Sequence, residues 1–209
     1  MKFSAIIQSY LGWYGGAAMD RENKLIRAVR SIFDQAFQDF EIIVVADGCE
    51  QTFNIIRDTF IPNDKISVYL ITKQVFWSGV PRTFGNQMAK GEYILYLDID
   101  DRWGNNHLQI INDQLNGFDW VWFNDYRYQW RAKTFCENPC NIFRIGQNGT
   151  SNICFKRAMN ATWDFNGYSH DYYFNKSLIK SSNNFAKIRT PEYYVCHLPP
   201  HPGGRAYDL

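Results

Sequence analysis

No apolar run in this chain approaches the roughly 18 residues needed to span a bilayer. There is no internal repeat and no low-complexity block. Neither charge dominates: 22 Lys and Arg stand against 21 Asp and Glu, a formal net charge of +1 with no basic tail. That balance argues against nucleic acid or an anionic membrane as the main partner. Cysteine is sparse, five residues without framework spacing. Cys136 and Cys140 form the one close pair, and the second pair that a zinc site needs is missing. Reduced, structural thiols are the expectation. A secretory signal is also missing, because the apolar start from Phe3 to Ile7 turns polar at Gln8 and Ser9 and reads as a first strand. The sequons at Asn148 and Asn160 are then chance matches. A cytoplasmic protein is expected, free or peripherally bound to a membrane, without a transmembrane segment.

Aromatic side chains, by contrast, are abundant, at 17% of the 209 residues. Hydrophobic residues reach 45% and charged residues 21%, which suits one globular domain with a real core. The aromatic surplus fits a protein that stacks on rings or sugars, although most such side chains fill core. The sharpest local feature lies at Tyr93-Ile94-Leu95-Tyr96-Leu97-Asp98-Ile99-Asp100-Asp101. An apolar run with the character of a buried strand ends in three carboxylates within four residues. Like charges so close raise one another's pKa and cost stability unless something positive sits among them. A divalent cation carrying a phosphate is one reason to build such a cluster. A solvated acidic turn before a helix is the plain alternative.

Strands alternate with helices up to about residue 125. Phe3 to Ile7 is a strand. Asp20 is placed to cap a helix running to about Phe37, with Leu25, Ile26, Val29, Ile32 and Phe33 at helical spacing. Glu41 to Ala46 is a second strand, Thr52 to Phe60 a helix and Ser67 to Ile71 a third strand. Pro81 sits in the first turn of a helix that ends at Gly91, and the acidic strand follows. Asn106 to Leu115 is helical, and Trp120 to Phe123 is a strand. This alternation predicts an α/β fold with a doubly wound, mostly parallel sheet, whose ligands bind at the carboxyl ends of the strands. Three strands end in polar or acidic residues, at Gln8-Ser9, Asp47 and Asp98, and would converge on one edge. Residues 126 to 150 are aromatic and basic and read as loops or short antiparallel strands. A helix is expected from Asp171 to Ser181, with closing strands at Phe185 to Ile188 and Tyr193 to Cys196. Residues 1–209 are read as a single domain, 1–125 binding a nucleotide and 126–209 an acceptor, with a tail rich in proline and glycine.

Four segments, in order, resemble family 2 glycosyltransferases: Phe3 to Tyr10, Phe40 to Gly48, Arg82-Thr83-Phe84-Gly85-Asn86, and Ala89 to Asp101. The resemblance implies a GT-A fold with a small acceptor-binding second half. It implies transfer of a sugar from a nucleotide-diphosphate donor, UDP-linked, to a carbohydrate or other acceptor hydroxyl, with inversion and with Mn²⁺ or Mg²⁺. Two departures are visible. Gln8 stands where proline is common, and Ala46-Asp47 where two acids are common.

On this footing Ser9, Tyr10, Asp47, Arg82, Asp98 and Ile99 are the candidate donor-nucleotide residues. Asp47 can accept from a pyrimidine N–H, Ser9 can bond the same ring and Tyr10 can stack on it. Arg82, in the first turn of its helix, can help hold a phosphate. Asp100, Asp101 and His197 are the metal candidates, with His201 a weaker one. Asp171 is the candidate base, with Asp164 as the fallback. His170 stands beside Asp171 where the family commonly has Glu. Trp163, Tyr168 and His170 are candidate acceptor contacts, and Trp130 is another candidate platform. Two rival functions remain: a non-catalytic module that binds nucleotide sugars, and a phosphatase using Asp98-Ile99-Asp100 as an aspartyl-nucleophile motif. The latter usually sits on the first strand, and here three strands come before it.

Overall fold

The computed structural model describes residues 1–15, 17, 19–74, 78–129, 131–165, 167 and 169–196. Trp130, Tyr168, His197 and His201 lie outside the described residues. Strand β1 (Phe3–Ser9) is followed by α1 (Arg21–Phe33), β2 (Phe40–Asp47), α2 (Glu50–Phe60), β3 (Ile66–Ile71), α3 (Gly79–Met88) and β4 (Tyr93–Tyr96). Then come β5 (Arg102–Trp103), α4 (His107–Gln114), β6 (Trp120–Trp122), β7 (Asp125–Gln129), β8 (Thr134–Asn138) and β9 (Ile153–Lys156). A 3-10 turn (Arg157–Met159), α5 (His170–Ser181), β10 (Phe185–Lys187) and β11 (Tyr193–Val195) complete the order.

The main sheet has seven strands in the order β10-β6-β9-β4-β1-β2-β3. Strands β4, β1, β2 and β3 are parallel neighbours. Strand β9 runs antiparallel between β4 and β6, and β10 pairs parallel with β6. Every residue of β2 is buried, and β1 is buried except at Gln8. Their side chains alternate between two cores. Phe3, Ala5 and Ile7 pack with Leu25, Val29 and Ile32 of α1. Ile6, Ile43, Val45, Ile94 and Tyr96 face Trp120, Phe155 and Phe174 on the other side. A strand buried on both faces reads as one continuous apolar run, the pattern seen in the sequence. Gly91 lets the turn before β4 lie against β1: a Cβ there would come within 2.6 Å of the Phe3 carbonyl carbon.

Some boundaries differ from expectation. Helix α1 stops at Phe33 because the chain leaves to pair elsewhere: the Ala36 N–H donates to the Asn105 carbonyl at 2.7 Å. Asp20 does not cap the helix backbone; its carboxylate accepts from the Asn23 side chain at 2.9 Å. Strand β9, an interior strand between β6 and β4, is not expected from the sequence, nor is the two-residue β5.

A second sheet, in the order β5-β11-β7-β8, carries a hairpin that pairs Asp125 with Asn138 and Gln129 with Thr134. Of residues 126–150, those up to Asn138 thus supply short antiparallel strands, and the rest is loop. All five cysteines are free thiols. No helix among the described residues is long and apolar enough to cross a membrane.

Candidate active site

The carboxyl ends of β1, β2, β3 and β4 open onto one cleft of about 580 Å³. Ser9, Tyr10, Asp47, Arg82, Asp98, Ile99, Asp100, His170 and Asp171 all line it. Residues separated by more than 160 positions thus share one cleft: parallel strands put their carboxyl ends on one edge, and the start of α5 faces them.

Asp47, at the end of β2, is buried and doubly held. Its Oδ1 accepts from the Gln74 N–H and its Oδ2 from Lys73 Nζ, both at 2.7 Å. The Lys73 ammonium also lies 4.4 Å from the Tyr10 ring centroid, a cation–π contact. Ser9 is buried, and its hydroxyl pairs with that of Thr52 at 2.8 Å. Tyr10 stacks on Tyr14 with ring centroids 6.5 Å apart. The Tyr14 phenol has a raised pKa, chiefly from burial and then from the negative charge of Asp100. Lys73, Gln74, Tyr14, Ser78 and Thr150 are lining residues that the sequence reading did not name. Lys73 and Gln74 follow the end of β3, so the polar-strand-end rule applied a fourth time would have found them.

Three acids placed together by sequence have separate fates. Asp98 accepts from Gln8 Nε2 and Arg82 Nη2 on Oδ1 and from the Ser151 hydroxyl on Oδ2. Arg82 is 2% exposed and also donates to Ser78 and, at 2.9 Å, to Thr150. Both terminal nitrogens are engaged, and Arg82 holds Asp98 in place on the cleft wall. Asp100 is half-buried and lines the cleft, and its carbonyl accepts from Arg27 at 2.7 Å. Asp101 does not line the cleft. The chain turns at Asp98, whose carbonyl accepts the Asp101 N–H at 3.1 Å. Asp101 is then buried, accepting from the Tyr193 hydroxyl and the Cys196 N–H, both at 2.8 Å. Burial first, then the charges of Asp100 and Asp98, push its pKa well above the usual carboxylate range.

The opposite wall comes from the start of α5. His170 Nε2 lies 2.8 Å from Asp171 Oδ1, and His170 Nδ1 lies 2.8 Å from the Gly167 carbonyl. The imidazole thus sits between the Gly167 carbonyl and the Asp171 carboxylate, against the carboxylate it neighbours. Trp163, expected near the acceptor, is core. It is 5% exposed, stacks on Phe174 at 3.9 Å and donates to the Tyr96 hydroxyl at 3.0 Å. Its indole is consumed by packing and offers no platform to a sugar. Asp164 is exposed and does not line the cleft.

Among the described residues, no three His, Cys, Asp or Glu side chains come together as a metal cage. The donor set nonetheless suits a hard cation in one respect. A half-buried carboxylate, Asp100, stands in an oxygen-lined cleft, and Mg²⁺ or Mn²⁺ is commonly held by one or two carboxylates together with substrate phosphates.

Structural comparison gives the same architecture in known proteins. TarS from S. aureus, solved in complex with UDP-GlcNAc, matches with a TM-score of 0.72 at 17% identity, over 93% of this chain and 58% of that one. The mannosyltransferase PcManGT from Pyrobaculum calidifontis, solved with GDP-Man and Mn²⁺, matches with a TM-score of 0.65 at 14% identity, over 97% of this chain and 58% of that one. The fold is thus of the GT-A type. By sequence, the glycosyltransferase GlyG of Streptococcus pneumoniae serotype 4 is 31% identical over 95 residues, 46% of this chain and 32% of its own length. WcaA of Escherichia coli K12 is 27% identical over 130 residues, 60% of this chain and 44% of its own length. The chain spans less than half the length of either relative. The family model for glycosyl transferase family 2 matches residues 17–173, most of the chain and the cleft residues from Asp47 to Asp171, and the chain belongs to that family.

Proposed function

We propose that this chain transfers a sugar from a nucleotide-diphosphate donor, UDP-linked, to an acceptor hydroxyl with inversion at the anomeric carbon. The observation that carries the reading is the shared cleft, with Asp47, Asp98 and Asp100 on strand ends and Asp171 on the facing helix. Asp47, oriented by Lys73 and Gln74, keeps lone pairs for a base N–H. A structural neighbour carries UDP-GlcNAc and another carries GDP-Man; the single base-facing acid is our reason for choosing uracil. Asp98, immobilised from three sides, orients the ribose. Lys73, with a 44% exposed side chain, supplies positive charge at the mouth.

Asp100 is the residue assigned to a divalent cation, which when bound neutralises the diphosphate leaving group. The remaining chemistry is one displacement. Asp171 Oδ2 takes the proton of the acceptor hydroxyl, the acceptor oxygen bonds to the anomeric carbon, and the bond to the diphosphate oxygen breaks with its electron pair. Attack opposite the leaving group inverts that carbon. A single base suffices, unlike the carboxylate pair of a glycosidase. The phosphatase alternative fits poorly, since Asp98 follows the fourth strand of the chain and is ion-paired with the buried Arg82.

Two substitutions test the reading. Asp171→Asn is expected to keep the thermal shift produced by UDP with Mn²⁺ while lowering transfer by about 10²- to 10⁴-fold. Asp100→Ala is expected to lose the Mn²⁺-dependent part of that shift. Full transfer by both variants would sink the site assignment. Nucleotide-sugar binding without turnover by the wild type, across a broad acceptor panel, would favour the non-catalytic alternative.

A further inference from the structure

The main sheet has a second cleft on the same edge. Strand β6 runs parallel to β4, because both flank the antiparallel β9, and β10 runs parallel to β6. The carboxyl ends of β6 and β10 therefore open on the side where β1 to β4 bind their ligand. A groove of about 620 Å³ lies there. Its walls come from Tyr126, Glu137, Lys187, Arg189, Thr190 and Glu192. Neighbouring strands are about 4.8 Å apart, so the ends of β6 and β10 stand about 10 and 14 Å along the edge from the end of β4. That is the span of a few linked sugar rings.

We propose that this second groove holds the distal part of an extended, uncharged, hydroxyl-rich acceptor, an oligosaccharide or polyol, whose reacting end lies at Asp171. The proposal rests on the transferase reading given above and adds the acceptor class. Three observations carry it. The first is position, on the same sheet edge as the reaction cleft and on the acceptor half of the chain. The second is charge. Two cations, Lys187 and Arg189, are balanced by two carboxylates, Glu137 and Glu192, which suits neutral hydroxyls and disfavours a polyanion. The third is a built polar wall beside an aromatic ring. Glu137 accepts from the Thr190 hydroxyl and from Asn124 Nδ2, and these bonds lower its pKa from the ordinary value. Glu192 is held by the Asn106 N–H at 2.9 Å. Tyr126 is fixed by stacking on Tyr194, with centroids 5.4 Å apart. An oriented ring beside planar carboxylate, guanidinium and hydroxyl groups can stack on a sugar face and bond its hydroxyls. The reaction cleft does not use any of these groups.

The test is saturation-transfer NMR and titration with neutral isomalto-, cello-, chito- and manno-oligosaccharides of increasing length, with a sulfated heparin oligosaccharide as the charged arm. The proteins are wild type, Tyr126→Ala and Arg189→Ala. Arg189 is exposed, so its variant should fold even where loss of the Tyr126 stack perturbs the hairpin. For at least one neutral series, wild-type affinity should rise at least tenfold with length. Both variants should lose that rise while binding UDP as the wild type does. The proposal is overturned if no neutral series tightens with length, if Arg189→Ala keeps the full rise, or if the sulfated oligosaccharide binds tightest. Loss of UDP binding by the wild type would be a different failure, that of the transferase reading itself.

Discussion

The two halves of the main sheet hold their functional groups in different ways. On the β3-β2-β1-β4 side, Asp98 and Asp47 each accept from more than one donor. Asp98 is gripped from β1 by Gln8, from α3 by Arg82 and from the loop before β9 by Ser151. Asp47 is gripped from beyond β3 by Lys73 and Gln74. On the β9-β6-β10 side the strands are three or four residues long. There the proposed base, Asp171, has His170 beside it, and His170 in turn meets the Gly167 carbonyl. On the proposed assignment, the donor side is held by more elements than the acceptor side, which hangs on a helix tip and its loop.

The strongest way to break this comparison is Arg82→Met. Its guanidinium is buried against a half-exposed Asp98. Removing one partner of a buried ion pair costs about 3–5 kcal/mol when the other stays buried, and the exposure of Asp98 puts this case near the lower bound. A drop of about 3 kcal/mol in urea-measured stability is expected, with transfer activity falling as well. A drop under about 1 kcal/mol would mean that the donor side is no better determined than the acceptor side.

How much of this was legible in the sequence follows the same division. Strands β1, β2 and β4 are buried on both faces, so each is an unbroken apolar run and could be read directly. Strand β9 has four residues, Ile153-Cys154-Phe155-Lys156, too few for any periodicity, and its interior place comes from pairing with β4 and β6. The site inherits that gap: Thr150 and Ser151, which grip Arg82 and Asp98, lie on the loop into β9. That Asp98 and Asp100 line the cleft could be anticipated from their place at a strand end. Asp101 could not be told apart from them by adjacency, because what separates it is a tight turn and a hydroxyl donor from Tyr193, 92 positions away. Trp163 looked available because aromatic abundance says nothing about which rings Phe174 and Tyr96 will claim.

A pH series sharpens the comparison on the second sheet. His107, at the start of α4, is fully buried, stacks on Trp103 at 4.3 Å and meets Phe123 and Tyr193 edge-on or tilted. Neither ring nitrogen has a hydrogen-bond partner among the described residues. Burial therefore drives its pKa well below the ordinary value. The folded state then binds fewer protons than the unfolded state once the pH falls below the unfolded value of about 6.5. The stability contributed by the neutral ring is full above that pH and is lost as pH falls, by up to about 1.4 kcal/mol per unit. Urea midpoints at pH 7.5, 6.5 and 5.5 should show this fall in the wild type and much less of it in His107→Phe. Equal slopes would remove His107 as the cause.

The smallest expected effect on stability is the most telling for the donor site. Lys73 pairs with Asp47, but its side chain is 44% exposed, and such pairs contribute about 0–1 kcal/mol because water and salt screen them. Lys73→Met should therefore leave the urea midpoint nearly unchanged. Its charge, however, sits where Asp47, Tyr10 and the mouth of the cleft meet. If the nucleotide lies there, the variant should bind UDP more weakly than the wild type, and its affinity should depend less on salt, since one fewer cation faces the diphosphate. Isothermal titration at low and moderate salt separates the outcomes. An unchanged UDP affinity would mean that Lys73 serves only to orient Asp47, so that the donor side grips the base far more than the phosphates. A weakened affinity without loss of stability would mark Lys73 as a ligand-facing residue on an otherwise pre-built wall.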